Sequence, residues 1–92
     1  MNIPTRTGKL LMITFSEPDS IRQAAVRARL LESLEGHKLT AAVSERGRDV
    51  TITAVGPEDR VRQVLPEANR LVQGGMIVMV DAEYLPLIGA AG

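Results

Sequence analysis

Three rhythms of apolar and polar positions run along this chain. The stretch KLLMITF, residues 9–15, is almost continuously apolar over a strand's length, which predicts a strand covered on both faces. SEPDSIRQAAVRARLLESLEG follows, with Ile21, Ala24, Ala25, Ala28 and Leu31 at helical intervals. Ser16 and Asp19 stand at capping-box spacing, Pro18 falls near the first turn and Gly36 supplies a stop. An amphipathic helix is predicted, with Arg22, Arg27 and Arg29 on its wetter sides. KLTAAV (38–43) and DVTITAV (49–55) read as strands, the second alternating Val50, Ile52 and Ala54 with Thr51, Thr53 and Val55. Only SERGR, residues 44–48, lies between them, and Gly47 can take a positive φ without a Cβ penalty, so a short hairpin with a charged tip is expected. GPEDRVRQVLPEANRLVQGG predicts a second helix with Pro57 just inside its start and Gly74–Gly75 at its stop. Pro66 within it predicts a kink near Leu65 or a division into two short helices. MIVMV (76–80) is a further strand apolar on both faces, and DAEYLPLIGAAG adds a short edge extension before a loose tail.

The resulting order is β-α-β-β-α-β, the split βαβ arrangement of an α+β, ferredoxin-like sandwich: an antiparallel sheet with two helices on one face. One domain over residues 1–92 is expected, with an ordered core from about residue 9 to residue 87. Two helices cover only one side of such a sheet. The strands at 9–15 and 76–80 nevertheless have no polar face, so something must cover the other side, and a second copy of the chain is the simplest cover. Leu10, Met12 and Thr14 are assigned to that interface, and Leu11, Ile13 and Phe15 to the helices, because alternate side chains of a strand point to opposite faces.

Composition narrows the function classes. Apolar residues make up 45% of the 92 and charged residues 24%, an ordinary globular balance, with Phe15 and Tyr84 the two aromatics. Eleven basic and eleven acidic residues cancel, which is no electrostatic footprint for nucleic acid. With no cysteine and one histidine, disulfides, thiolate metal sites and multi-imidazole sites are excluded, and no metal is expected. MNIPTRTGK has no apolar signal core and no run approaches the ~20 residues of a membrane span. A cytoplasmic protein without direct membrane insertion is therefore the expectation.

At the level of motifs, VTITAVGPEDRVRQVLPEANRLVQGGMIVMVD resembles the C-terminal half of the small PII-like proteins: an apolar strand, an acidic helix start, VLPE, an LV pair, glycine and a closing aliphatic strand. KLLMITFSEPD, AAVRARLLESL and LTAAV are compatible with that family's first strand, first helix and second strand, so the resemblance runs from about Lys9 to Leu87. It implies a non-enzymatic signalling protein, a homotrimer packed sheet to sheet. The clefts between subunits would take an adenine nucleotide or related metabolite as effector, with no other cofactor, and report it to a protein target. The family's long loop between strands two and three is shortened here to SERGR, which removes the usual target-recognition element. Its glycine-rich turn before the last strand is matched by Gly74 and Gly75 without the charged partners, and Thr40 matches a threonine often found at the start of strand two. A phosphate site on this pattern would combine backbone N–H groups with Arg46 or Arg48.

Each candidate also has a plainer reading. Arg46, Gly47 and Arg48 are either a solvated hairpin tip or a forked anion contact. Gly74 and Gly75 suit a helix stop as well as a ligand loop. His37 reads as a surface side chain, and Glu58 and Asp59 as favourable charges at a helix start. No spacing suggests a catalytic triad, and the phosphate-loop signature is absent. The readings are thus a PII-like effector-binding regulator, a ligand-free oligomeric adaptor of the same fold, and an enzyme of that fold, which no motif supports.

Overall fold

The computed structural model describes residues 3–86, so the tail expected beyond 86 lies outside the described residues. The elements are β1 (Arg6–Ser16), α1 (Ser20–Gly36), β2 (Thr40–Arg46), β3 (Asp49–Gly56), α2 (Glu58–Leu71) and β4 (Met76–Tyr84). They form one four-stranded sheet in the order β2-β3-β1-β4, with every neighbouring pair antiparallel. This is the expected ferredoxin-like α+β sandwich, and the extension after residue 80 is the second half of β4.

Register fixes the two faces of the sheet. Leu11 opposes Ala54 on β3 and Met79 on β4, Ile13 opposes Ile52 and Ile77, and Phe15 opposes Val50. Leu11, Ile13, Phe15, Val50, Ile52 and Ala54 are all buried, and they form one core with Leu30 and Leu34 of α1 and Val61, Val64 and Ala68 of α2. Each fully buried branched aliphatic stabilises the fold by roughly 1.5–3 kcal/mol relative to exposure. The assignment of Leu11, Ile13 and Phe15 to the helices therefore holds.

Three local expectations need correction. Asp19 alone caps α1, accepting from the amides of Ile21 at 2.9 Å and Arg22 at 3.2 Å, whereas Ser16 ends β1 and donates to Asp49 at 2.6 Å. The buried stripe of α1 runs through Val26, Leu30, Leu31 and Leu34, while Ile21 is 82% exposed. Leucines set this phase, because the alanines at 24, 25 and 28 have too little apolar area to compete. Finally, α2 is one 14-residue helix through Pro66 rather than two. Pro66 lies on the exposed side, and the burial of Val61, Val64 and Ala68 on either side of it holds the turn that lacks one backbone bond.

The approach to β2 also differs from its expected start at residue 38. The amides of His37, Lys38 and Leu39 donate back to carbonyls of Ser33, Leu34 and Glu35, so these residues close α1 and are lost to the sheet. Lys38 takes φ 59° there, and Leu39 drops into the core. Pro57 likewise sits one residue outside α2, at its N-cap, instead of inside the first turn.

Candidate functional site

The predicted effector residues divide between the two ends of the sheet. At one end, β2 runs on to Arg46, which pairs directly with Asp49, so the expected five-residue connection is a two-residue turn of Gly47 and Arg48. Gly47 has φ 62°, the first central position that a type II′ hairpin gives to glycine. The turn is tied to the start of α1: the Glu17 amide donates to the Arg48 carbonyl at 2.9 Å and the Gln23 side-chain amide to the Gly47 carbonyl at 3.3 Å. The turn is therefore fixed, while the side chains of Arg46 and Arg48 are exposed and hold no ion pair among the described residues. Glu45, the nearest acid on the strand, is already paired with Arg27 of α1.

Beside that turn lies the reversal between α2 and β4. Gly74 has φ 69°, and a Cβ added to Gly75 would sit 2.2 Å from the Thr14 carbonyl oxygen and 3.0 Å from Phe15 Cβ. Chain geometry thus demands both glycines before any ligand is considered. A shallow cleft of about 330 Å³ runs from this turn past Thr14 and Ser16 to Asp49, its single charged lining residue. One chain alone offers a phosphate little here, because the cations Arg46 and Arg48 flank the cleft rather than line it.

Thr40 stands apart. Six steps of β2 separate it from Arg46, about 20 Å at the usual strand rise. It lines a cleft of about 380 Å³ at the far end of the sheet, together with Arg6, Lys38, Arg60 and Tyr84. The three cations come from the start of β1, the loop after α1 and the first turns of α2, and only the tertiary fold assembles them. No local motif could have signalled them.

The face of the sheet turned away from the helices carries part-exposed aliphatic side chains. Leu10, Met12 and Thr14 lie on it, level with Val55, Thr53 and Thr51 of β3 and with Val80, Val78 and Met76 of β4. Met12 is 36% exposed, Val78 37%, Val80 46% and Met76 61%. An antiparallel sheet that faces water normally alternates to polar side chains, and here the open side is aliphatic at its centre with threonines towards one end.

Titration behaviour adds little chemistry. The Arg70 side-chain hydrogen bond holds the Glu67 carboxyl below its ordinary value, and the Lys9 ammonium does the same for Asp81. Glu67 and Arg70 pair at the exposed surface, whereas Asp81 is exposed and reaches a half-buried Lys9. His37 caps α1, its Nδ1 2.8 Å from the Ser33 carbonyl oxygen, and no group of three potential metal ligands occurs among the described residues. Nor is any helix among them long and apolar enough to cross a membrane.

No family profile matches the chain, and no curated protein matches its sequence. Solved structures do match its fold. A PII-like signalling protein from Thermus thermophilus is 11% identical, with a TM-score of 0.66 over 90% of this chain and 94% of that one. CPII, a nitrogen regulatory PII-like protein from Thiomonas intermedia bound to ADP, AMP and bicarbonate, is 15% identical, with a TM-score of 0.69 over 88% of this chain and 98% of that one. An acylphosphatase from Bacillus subtilis is 17% identical, with a TM-score of 0.58 over 91% of each chain. The fold is that of the PII-like proteins, and it also carries an enzyme.

Proposed function

We propose that this chain is a PII-like regulatory protein, a single-domain cytoplasmic homotrimer without enzymatic activity. Its subunits pack through their open sheet faces, and an adenine nucleotide binds as effector in the clefts between them. The observation that carries the reading is the uncovered aliphatic face around Met12, Val78 and Val80, on a fold that CPII uses with ADP and AMP bound. Exposed apolar patches of this kind mark association surfaces. The hairpin tip and the Gly74–Gly75 turn lie at the same end of the sheet, where a neighbouring copy would complete a cleft that one chain leaves short of cations. Phosphate groups of the effector would meet Arg46 and Arg48 and backbone N–H groups of the two turns.

Thermal shift and calorimetry with AMP, ADP and ATP test the effector, since a ligand that binds only the native state raises its stability. Saturable stabilisation is expected, weakened in an Arg46→Ala, Arg48→Ala double variant. Light scattering should give three times the mass of one chain, and an acyl-phosphate hydrolysis assay should read as the blank. The two-residue Gly47–Arg48 turn favours a second reading, a ligand-free oligomeric adaptor that holds a protein target. A trimer with a flat response to every nucleotide at millimolar concentration would give that reading the lead.

A further inference from the structure

We infer that the cleft at the far end of the sheet is a binding site for a small phosphate-bearing anion, held by Arg6, Lys38 and Arg60 and independent of the hairpin. Among the described residues six cations hold no ion pair: Arg6, Arg29, Lys38, Arg46, Arg48 and Arg60. Three of these six line this one cleft, and no carboxylate of the described residues does. Like charges repel, so three unneutralised cations around about 380 Å³ are a focused positive potential that an anion relieves. The size is at the small end of ligand sites and suits a phosphomonoester rather than a large metabolite.

Hydrogen-bond donors reinforce the charge. Pro57 and Arg60, at the N-cap and in the first turn of α2, line the cleft, which puts the positive end of the helix dipole beside it. The acids of that turn do not close the cleft: Glu58 pairs with Arg62 at 2.6 Å, and neither it nor Asp59 is among the lining residues. Thr40 and Tyr84 add hydroxyl groups.

Lys38 supplies a further argument. It adopts φ 59° directly after α1, a left-handed position where glycine is the usual residue and a side chain is strained. A lysine there forgoes stability and places an ammonium group at the cleft.

The test uses the whole protein and inorganic pyrophosphate, by calorimetry at low salt and by amide chemical-shift mapping. Saturable binding is expected, with shifts at Lys38, Thr40 and Arg60 and not at Gly47 or Gly75. Arg60→Gln should weaken binding about tenfold or more at unchanged thermal midpoint, because charge-assisted hydrogen bonds are the strong ones. Lys38→Gly should weaken binding while raising the midpoint by about 4 °C, the opposite signs that separate a binding role from a structural one. Arg29→Gln and the Arg46→Ala, Arg48→Ala double variant should bind as the parent does, so failure of the nucleotide site leaves this result standing. Equal losses in Arg29→Gln and Arg60→Gln would mean diffuse surface charge and overturn the proposal, as would no saturation at millimolar pyrophosphate or shifts centred on the hairpin.

Discussion

At Gly75 the backbone leaving α2 passes so close to β1 that an added methyl group would stand 2.2 Å from the Thr14 carbonyl. Neither partner is the free end of a flexible side chain, so the strain must move main chain. Gly75→Ala should therefore cost about 1–3 kcal/mol, the usual range for overpacking, read as a lower urea midpoint at unchanged slope. The arginines of the hairpin tip behave differently. Arg46→Ala and Arg48→Ala should each stay within about 0.5 kcal/mol of the parent, because both side chains are solvated and hold no ion pair among the described residues. A larger loss from either would show that it has an internal partner. At this scale the sequence was legible where the backbone itself makes a demand, as at Gly47 and Gly74 with φ of 62° and 69°. It marked Gly75 with Gly74 as a helix stop but was silent on the close approach to β1, which comes from a strand some sixty residues away.

Capping and phase belong to the scale of elements. Asp19 accepts from two amides of α1, so Asp19→Ala should lower stability by about 1 kcal/mol. Ser16→Ala, which loses only an exposed contact to Asp49, should cost about 0.5 kcal/mol or less, and the reverse ranking would restore Ser16 as the cap. Pro66 is exposed in the middle of α2, where a proline removes a backbone hydrogen bond and crowds the preceding turn. Part of that cost is offset by the stiffness proline gives the unfolded chain. Pro66→Ala should then raise stability by about 1–2 kcal/mol, seen as a higher midpoint and undiminished helical circular dichroism. No gain would mean that the helix has already relaxed around the ring.

For the whole molecule the decisive comparison is between neighbours on β1. Ile13 is completely buried under the helices, so Ile13→Glu sets an unpaired carboxylate in the core at several kcal/mol, on the order of a small domain's entire stability. That variant should fail to fold. Met12, one residue away on the open face, is 36% exposed in one chain. On the proposed sheet-to-sheet trimer, Met12→Glu should keep its helical circular dichroism and scatter light as a monomer. A monomeric parent, or a Met12→Glu protein that stays trimeric and stable, would sink the sheet-to-sheet assembly and the intersubunit cleft with it.

The chain's own letters determined the element order and the two faces of the sheet, because period-two and helical spacing are local properties that burial in this fold then respects. They also marked the strands at 9–15 and 76–80 as aliphatic on both faces, and the face turned from the helices carries Met12, Met76, Val78 and Val80 part-exposed. Tertiary structure alone decided the phase of α1, since Leu30 and Leu34 outweigh Ile21 only once a sheet lies beneath them. It carried α2 through Pro66, since contacts on both sides of the proline compensate a bond that propensity counts as lost. It separated Thr40 from Arg46 by the length of β2. And it gathered Arg6, Lys38 and Arg60 into one cleft, a meeting of residues drawn from a span of more than fifty positions that depends on where the sheet's ends fall in space.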